Sequence, residues 1–256
     1  MLRRSPIPLL VLCSVLLLVG AANPHPPRSA QAANLDDKEM AIKLANLLRA
    51  GRNVVSTNQP LINDPDIGEK NFTGDKLVAE AEAIYAKRTG SPLTMDGLSE
   101  RDRRLVAAQK EAMLRIVEQH QFDINKEGVG FKGFIPAVFA RLVNEEFEAL
   151  AGSEARVRVT APTNLVRNRK SRPDAWEREV LETRLLADDW PKGQYYTERV
   201  DFEGRPAFRM LFPEYYRASC LSCHGQPQGE LDITGYPKEG GKEGDLGGAI
   251  SIVIFE

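Results

Sequence analysis

The sequence predicts an α+β protein, with N-terminal helices packed on an antiparallel sheet. Two observations carry this. Over residues 36–150 apolar residues recur at the spacing of one helical face. From residue 156 onward, short alternating or wholly apolar stretches are separated by turn residues, without the β-α alternation that a parallel sheet needs.

Taken in order, residues 36–58 place Met40, Leu44, Leu47 and Val54-Val55 on one helical face. Gln59-Pro60 should end that helix, and Asn63-Asp64-Pro65 reads as loop. Residues 74–88 form an Ala-rich helix closed by Gly90 and Pro92. Ser99, with Asp102 three residues on, can cap the next helix, whose stripe is Leu105, Ala108, Ala112 and Ile116. Residues 122–133 are a glycine-punctuated loop, and Pro136 opens a helix to about residue 150. Residues 156–161 alternate Val and Arg, as in a half-buried strand. Residues 164–171 are a basic loop, after which Pro173-Asp174 opens a short helix containing Trp176 and Leu181. Residues 194–202 and 205–212 are strands joined by a Glu203-Gly204 hairpin turn. Residues 213–219 read as a turn or short helix, residues 225–244 as a loop rich in Gly, Pro and charge, and residues 246–255 as a closing apolar strand.

Between that turn and that loop stands Cys220-Leu221-Ser222-Cys223-His224. This is C-x-x-C-H, the attachment signature of c-type haem. Two thiols at this spacing can add to the two vinyl groups of one porphyrin, and the adjacent His meets the iron from the proximal side. A zinc site would need two further ligands. The chain has three Cys and three His, and outside the motif only Cys13, His25 and His120 remain. A zinc reading therefore needs His120 and His224 together. A thioredoxin-like redox pair would follow a strand early in a βαβ unit, which is absent here. A Cys220–Cys223 disulfide would close a strained, tiny loop.

Residues 1–32 read as a secretory signal peptide: Arg3 and Arg4, an apolar run over residues 9–20, and the cleavage site Ala30-Gln31-Ala32. The run is short for a membrane span, and the Pro-rich residues 23–28 argue against a continuing helix. Cleavage before Ala33 (or near Ala22) would deliver residues 33–256 to the periplasm as a single haem c domain with a helical N-terminal part. An uncleaved leader would be its one membrane contact. Cys13 follows Leu12 rather than a small residue, so it is not read as lipidated. Cleavage leaves Cys220 and Cys223 as the sole thiols, which suits an oxidising compartment. It also removes three arginines and no acid from a chain with 34 basic and 36 acidic residues. The mature surface is mildly acidic and gives no support for nucleic-acid binding.

Several blocks then carry a family resemblance: Arg52-Asn53-Val54-Val55 through Gln59-Pro60-Leu61-Ile62-Asn63-Asp64, residues 130–139, Arg167-Asn168 with Pro173-Asp174-Ala175-Trp176-Glu177, the C-x-x-C-H, and residues 244–251. Over most of residues 35–256 the chain resembles the PAS-like c-type haem domains, found alone or as the extracytoplasmic input of membrane histidine kinases. The resemblance implies a PAS-like antiparallel sheet with packed helices and one covalent haem c. Redox or gas sensing is the usual proposal for such domains, although fold analogy alone does not establish it. One relative places Cys opposite His on the iron; here the sole Cys outside the motif is Cys13, so the sixth position falls to another residue, water or nothing.

His224 is the expected proximal iron ligand and Cys220 and Cys223 the attachment residues. His120 is the first distal candidate, being the one other His of the mature chain; its rival role is that of a helix-terminal His stabilised by the dipole. Met210, Met113, Met95 and Met40 are thioether alternatives that could equally fill core gaps. The haem propionates need cations, and Arg167, Arg169 and Arg172, with Lys170, form a dense basic loop suited to them. Its rival role is a solvated loop meeting Glu177 and Glu179; Lys132 is a weaker candidate. Tyr195, Tyr196, Phe208, Phe212, Tyr215 and Tyr216 could wall the porphyrin or belong to the sheet core. The expected function is redox or diatomic-gas sensing with a signalling or redox protein partner, since the chain carries no transmitter domain. The alternative is a monohaem electron carrier. No distal His-Arg pairing supports a peroxidase, so no enzyme activity is expected.

Overall fold

The computed structural model describes residues 36–256. The expected leader, with Cys13 and His25, lies outside the described residues. The chain is α+β, with eight α-helices and a four-stranded antiparallel sheet among the described residues. None of the described helices is long and apolar enough to cross a membrane.

The helical half begins with α1 (Asp37–Thr57), capped by the Asp36 carboxylate, which accepts from the Glu39 amide at 2.7 Å. Gln59-Pro60 ends α1 and at once opens α2 (Gln59–Ile62), because proline in a first turn has no helical N–H to lose. Helices α3 (Gly74–Thr89) and α4 (Glu100–Gln119) are capped by Thr73 and Ser99. A one-turn helix, α5 (Gln121–Ile124), begins the segment expected to be loop, and α6 (Pro136–Ala151) follows it. These helices bury Leu44, Leu48, Leu105, Met113, Phe139 and Phe147 in a common core.

The second half supplies β1 (Ala155–Thr160), α7 (Ala175–Val180), β2 (Tyr196–Phe202), β3 (Arg205–Tyr215), α8 (Leu221–His224) and β4 (Leu246–Phe255). Strand order is β1-β4-β3-β2. Side chains alternate between two covered faces. Phe208, Met210, Ile250, Ile252 and Ile254 join the helical core, whereas Leu211 and Ala249 pack on Val180, Leu181 and Leu185 beside α7. Strand β4 is buried on both sides, which is why it reads as an unbroken apolar run rather than an alternating one. Glu203 and Gly204 turn the β2–β3 hairpin with both φ angles positive, 56° and 77°.

Strand β3 is longer than the sequence suggests and continues through Pro213 to Tyr215. The last β2–β3 pair is Tyr196 with Leu211, so Pro213 has a strand neighbour, Ala249 of β4, on one side only. A missing N–H is tolerated where a strand has an open side. The extension carries the chain directly to the motif. Strands β3 and β4 are neighbours in the sheet, yet residues 216–245 leave and return between them. The Tyr216 amide donates to the Asp245 carbonyl at 2.9 Å, and the Gly244 amide to the Tyr216 carbonyl at 2.8 Å, drawing the two ends of this excursion together.

Candidate functional site

The excursion opens with a 3-10 turn, Ala218–Cys220, that runs into α8. Helical winding puts Cys220 and Cys223, three residues apart, on one side of the turn. Both are free thiols and partly exposed. The Arg217 amide donates to Cys220 Sγ at 3.4 Å. Burial pushes the Cys223 thiol up, against the hydrogen bond from Ser222.

His224 is held on two sides. Its ring stacks on Tyr216, with centroids 5.0 Å apart and planes 20° apart. Tyr216 is itself seated between two glycines: a Cβ on Gly241 would lie 2.6 Å from one edge of its ring, and a Cβ on Gly247 2.4 Å from the other. Nδ1 of His224 lies 2.9 Å from Glu239 Oε2. A carboxylate only accepts, so Nδ1 carries the proton and the lone pair belongs to Nε2. Burial, with Arg167 nearby, lowers the imidazole pKa and keeps the ring neutral at pH 7. A neutral imidazole with a free Nε2 is the form that ligates a metal.

Glu239 is in turn fixed by Arg167, whose Nε and Nη2 meet its two oxygens at 2.5 and 2.9 Å. The same guanidinium donates to Asp232 at 2.6 Å and to the Cys223 carbonyl at 2.7 Å. Burial alone would raise both acids. Hydrogen bonds from Arg167, joined by Thr234 at Asp232 and by His224 at Glu239, outweigh it and hold both carboxyls below their usual range. Asp232 Oδ1 also caps its own turn, accepting from the Thr234 and Tyr236 amides.

Sequence alone assigns Arg167, Arg169 and Arg172 to haem carboxylates. In the structure Arg167 is already filled by Glu239, Asp232 and the motif backbone. Arg169 and Arg172 are exposed, and among the described residues their side chains make no hydrogen bond or ion pair. A second group of cations, which includes Arg217 just before the motif, comes from separated segments of the chain. Arg49 Nε and Arg52 Nη1 each lie 2.6 Å from a Glu214 oxygen, and Arg217 reaches Asn53 at 3.2 Å. Arg88 completes the group; burial and repulsion from Arg49 and Arg217 bring its pKa down to about 10. Arg49 and Arg52 thus share the Glu214 carboxylate, with Arg88 and Arg217 close by. No local run of sequence signals the cluster, since its members lie on α1, on α3 and just beyond β3.

His120 caps α4 at its C-terminus. Its Nδ1 donates to the Ile116 carbonyl at 2.7 Å and its ring packs on Phe134 at 5.2 Å. Among the described residues no hydrogen bond or ring contact joins it to the motif. Met40, Met113 and Met210 are buried in the main core, and Met95 is partly buried against it. Of the six aromatic candidates Tyr216 is the one that stacks on the motif histidine. Tyr195 stacks on Phe212, Tyr196 packs between Trp176 and Trp190, Tyr215 accepts from the Gly193 amide, and Phe208 is core. Among the described residues no group of three or more His, Cys, Asp and Glu could hold a metal ion by itself, so a zinc site has no ligand set.

The donor set suits a covalently attached haem: two adjacent free thiols, and one neutral imidazole oriented through its distal nitrogen. No curated protein and no solved structure matches the chain. The family model described as Tll0287-like matches residues 30–254. With almost the whole chain matched, this protein belongs to the Tll0287-like family.

Proposed function

We propose that the chain is a periplasmic, PAS-like monohaem c protein acting in redox or diatomic-gas sensing. The observation that carries this is the His224 site: a C-x-x-C-H on a single helical turn, with Nδ1 held by Glu239 and Nε2 left for iron. Cys220 and Cys223 would bond the porphyrin, and His224 would be the proximal ligand. The cluster of Arg49, Arg52, Arg88 and Arg217 would meet its carboxylates. Bound there, the haem would supply a one-electron couple and an axial position.

The sensing reading is supported by the site's attachment to the sheet. The motif excursion is rooted in β3 and β4, the two central strands, and α1 packs on both. A change at the iron would therefore act on the middle of the fold and be passed to a signalling partner. The partial exposure of the His224 side chain, 29%, favours a second reading, electron transfer to a redox partner.

Expression with an active c-type maturation system tests the attachment: a mass gain and colour that survive denaturation are expected, and loss of both refutes the proposal. Spectra of the oxidised and reduced holoprotein, with and without CO or NO, separate the two readings. Ready ligand binding to the ferrous form supports sensing; an inert, six-coordinate spectrum supports electron transfer.

A further inference from the structure

We propose that Glu239 sets the electron-donating strength of the His224 imidazole, and that Arg167 moderates it. The inference rests on the haem reading and goes beyond it by naming what tunes the iron. The geometry is specific. Glu239 Oε2 accepts from His224 Nδ1 at 2.9 Å and from Arg167 Nη2 at 2.9 Å, so one oxygen is shared between the ligand and a fixed cation. A carboxylate behind a ligating imidazole draws its N–H proton and makes the ligating nitrogen more basic. A more basic ligand favours ferric over ferrous iron and lowers the potential. Arg167 competes for the same charge, so the pair works as a balance rather than a simple donor.

The surroundings show a built device. Asp232 anchors Arg167 from the far side at 2.6 Å, and its side chain is fully buried. The Tyr236 ring lies 5.2 Å from the Arg167 guanidinium, and its hydroxyl donates to the Arg167 carbonyl at 3.0 Å. The Gly240 and Gly241 amides donate to the Gly225 and His224 carbonyls, tying the backbone next to Glu239 to the motif. The backbone of Glu239 is therefore held beside the motif, and Arg167 holds its carboxylate toward the imidazole. Arg167 also holds the Cys223 carbonyl at 2.7 Å, so the tuning pair and the attachment turn share one support.

Glu239→Gln keeps an acceptor oxygen and removes the charge. Its midpoint potential should rise so that the ferrous-to-ferric ratio at a fixed ambient potential increases about tenfold, which is about 59 mV for one electron. The g-values of the ferric protein should move toward a weaker axial ligand. Asp232→Asn removes an equal charge without touching His224, and should leave the g-values in place. A potential that moves equally in both variants with unchanged g-values would mean that charge acts through space, and would overturn the proposal. So would an unchanged potential in Glu239→Gln. The unsubstituted holoprotein gives a reading that needs no variant: the His224 ring proton should exchange slowly with deuterium in proton NMR, and fast exchange overturns the proposal. If no covalent haem forms, the haem reading falls and this one with it; if haem forms but these readouts fail, only the tuning role is lost.

Discussion

Gly247→Ala is the substitution that most directly tests the seat of His224. Gly247 is the second residue of β4, and an added Cβ would lie 2.4, 2.7 and 2.9 Å from three carbons of the Tyr216 ring. Ordinary carbon contacts begin near 3.5 Å, so the ring would have to retreat by roughly 1 Å. It cannot slide edgewise, because Gly241 approaches its opposite edge as closely, and His224 covers one face. Overpacking of this kind costs about 1–3 kcal/mol. Replacing glycine where φ is ordinary returns about 0.4–1 kcal/mol by restricting the unfolded chain. The net loss is about 1–2 kcal/mol, a fall in Tm of about 2–8 °C for a domain of this size. Thermal unfolding followed by circular dichroism measures it. Tyr216→Leu removes the ring edge, so the double variant Gly247→Ala/Tyr216→Leu should lose less than the sum of the two single changes. Strict additivity, or a Gly247→Ala protein as stable as the parent, would refute the account of Tyr216 as a wedged support.

Other substitutions address the remaining contacts. His120→Ala should lower stability by about 1–2 kcal/mol through the lost Ile116 and Phe134 contacts, and should leave the optical spectrum of the holoprotein unchanged; a shifted spectrum would make His120 an iron ligand. Cys220→Ala should leave haem held through one thioether, and Cys220→Ala/Cys223→Ala should release it on denaturation, as read by mass. Arg209 is 2% exposed, lies 2.7 Å from Asp174 and 3.5 Å from Glu177, and packs its guanidinium 4.2 Å from the Trp176 ring. Arg209→Met takes one of two arginines from the fully buried Glu177 carboxylate, leaving it the Asp174 amide at 2.9 Å and Arg158 at 3.6 Å, and should cost about 1–3 kcal/mol in denaturant unfolding. Adding Glu177→Gln should recover a large part of that loss.

Wherever the deciding interactions are short-range, the sequence is a good guide to this fold. Asp36, Thr73 and Ser99 each cap a helix with their own side chain, within three residues of the amide they meet. The Glu203-Gly204 turn needs only its two residues to accept positive φ. The thiols and imidazole of the candidate site are likewise contiguous, so a five-residue pattern exposes them. What lies behind them is not contiguous. Arg167 finds Glu239 across 72 positions and Asp232 across 65, and both acids sit in a loop with no periodicity to single them out. A basic run tells where positive charge is, whereas its partners depend on which loop folds over it. Strand β3 overruns its expected end for the same reason: whether Pro213 breaks a strand depends on the neighbour it would have bonded, and that neighbour is set by the length of β2.

The arrangement of β3 and β4 has a consequence for how the region between them can vary. Their side-by-side pairing brings the two stems of the intervening segment into register before that segment adopts any shape of its own. Most of the closure entropy is thereby met by the sheet, and each doubling of the segment's length adds only about 0.6 kcal/mol. Insertions or deletions around residues 228–238 would then leave the strand register intact and be felt chiefly at the tether between Glu239 and the imidazole. Because Asp232 and Tyr236 lie in that rim and hold Arg167, remodelling there would reach the ligand's orientation through Glu239 while the sheet stays unchanged.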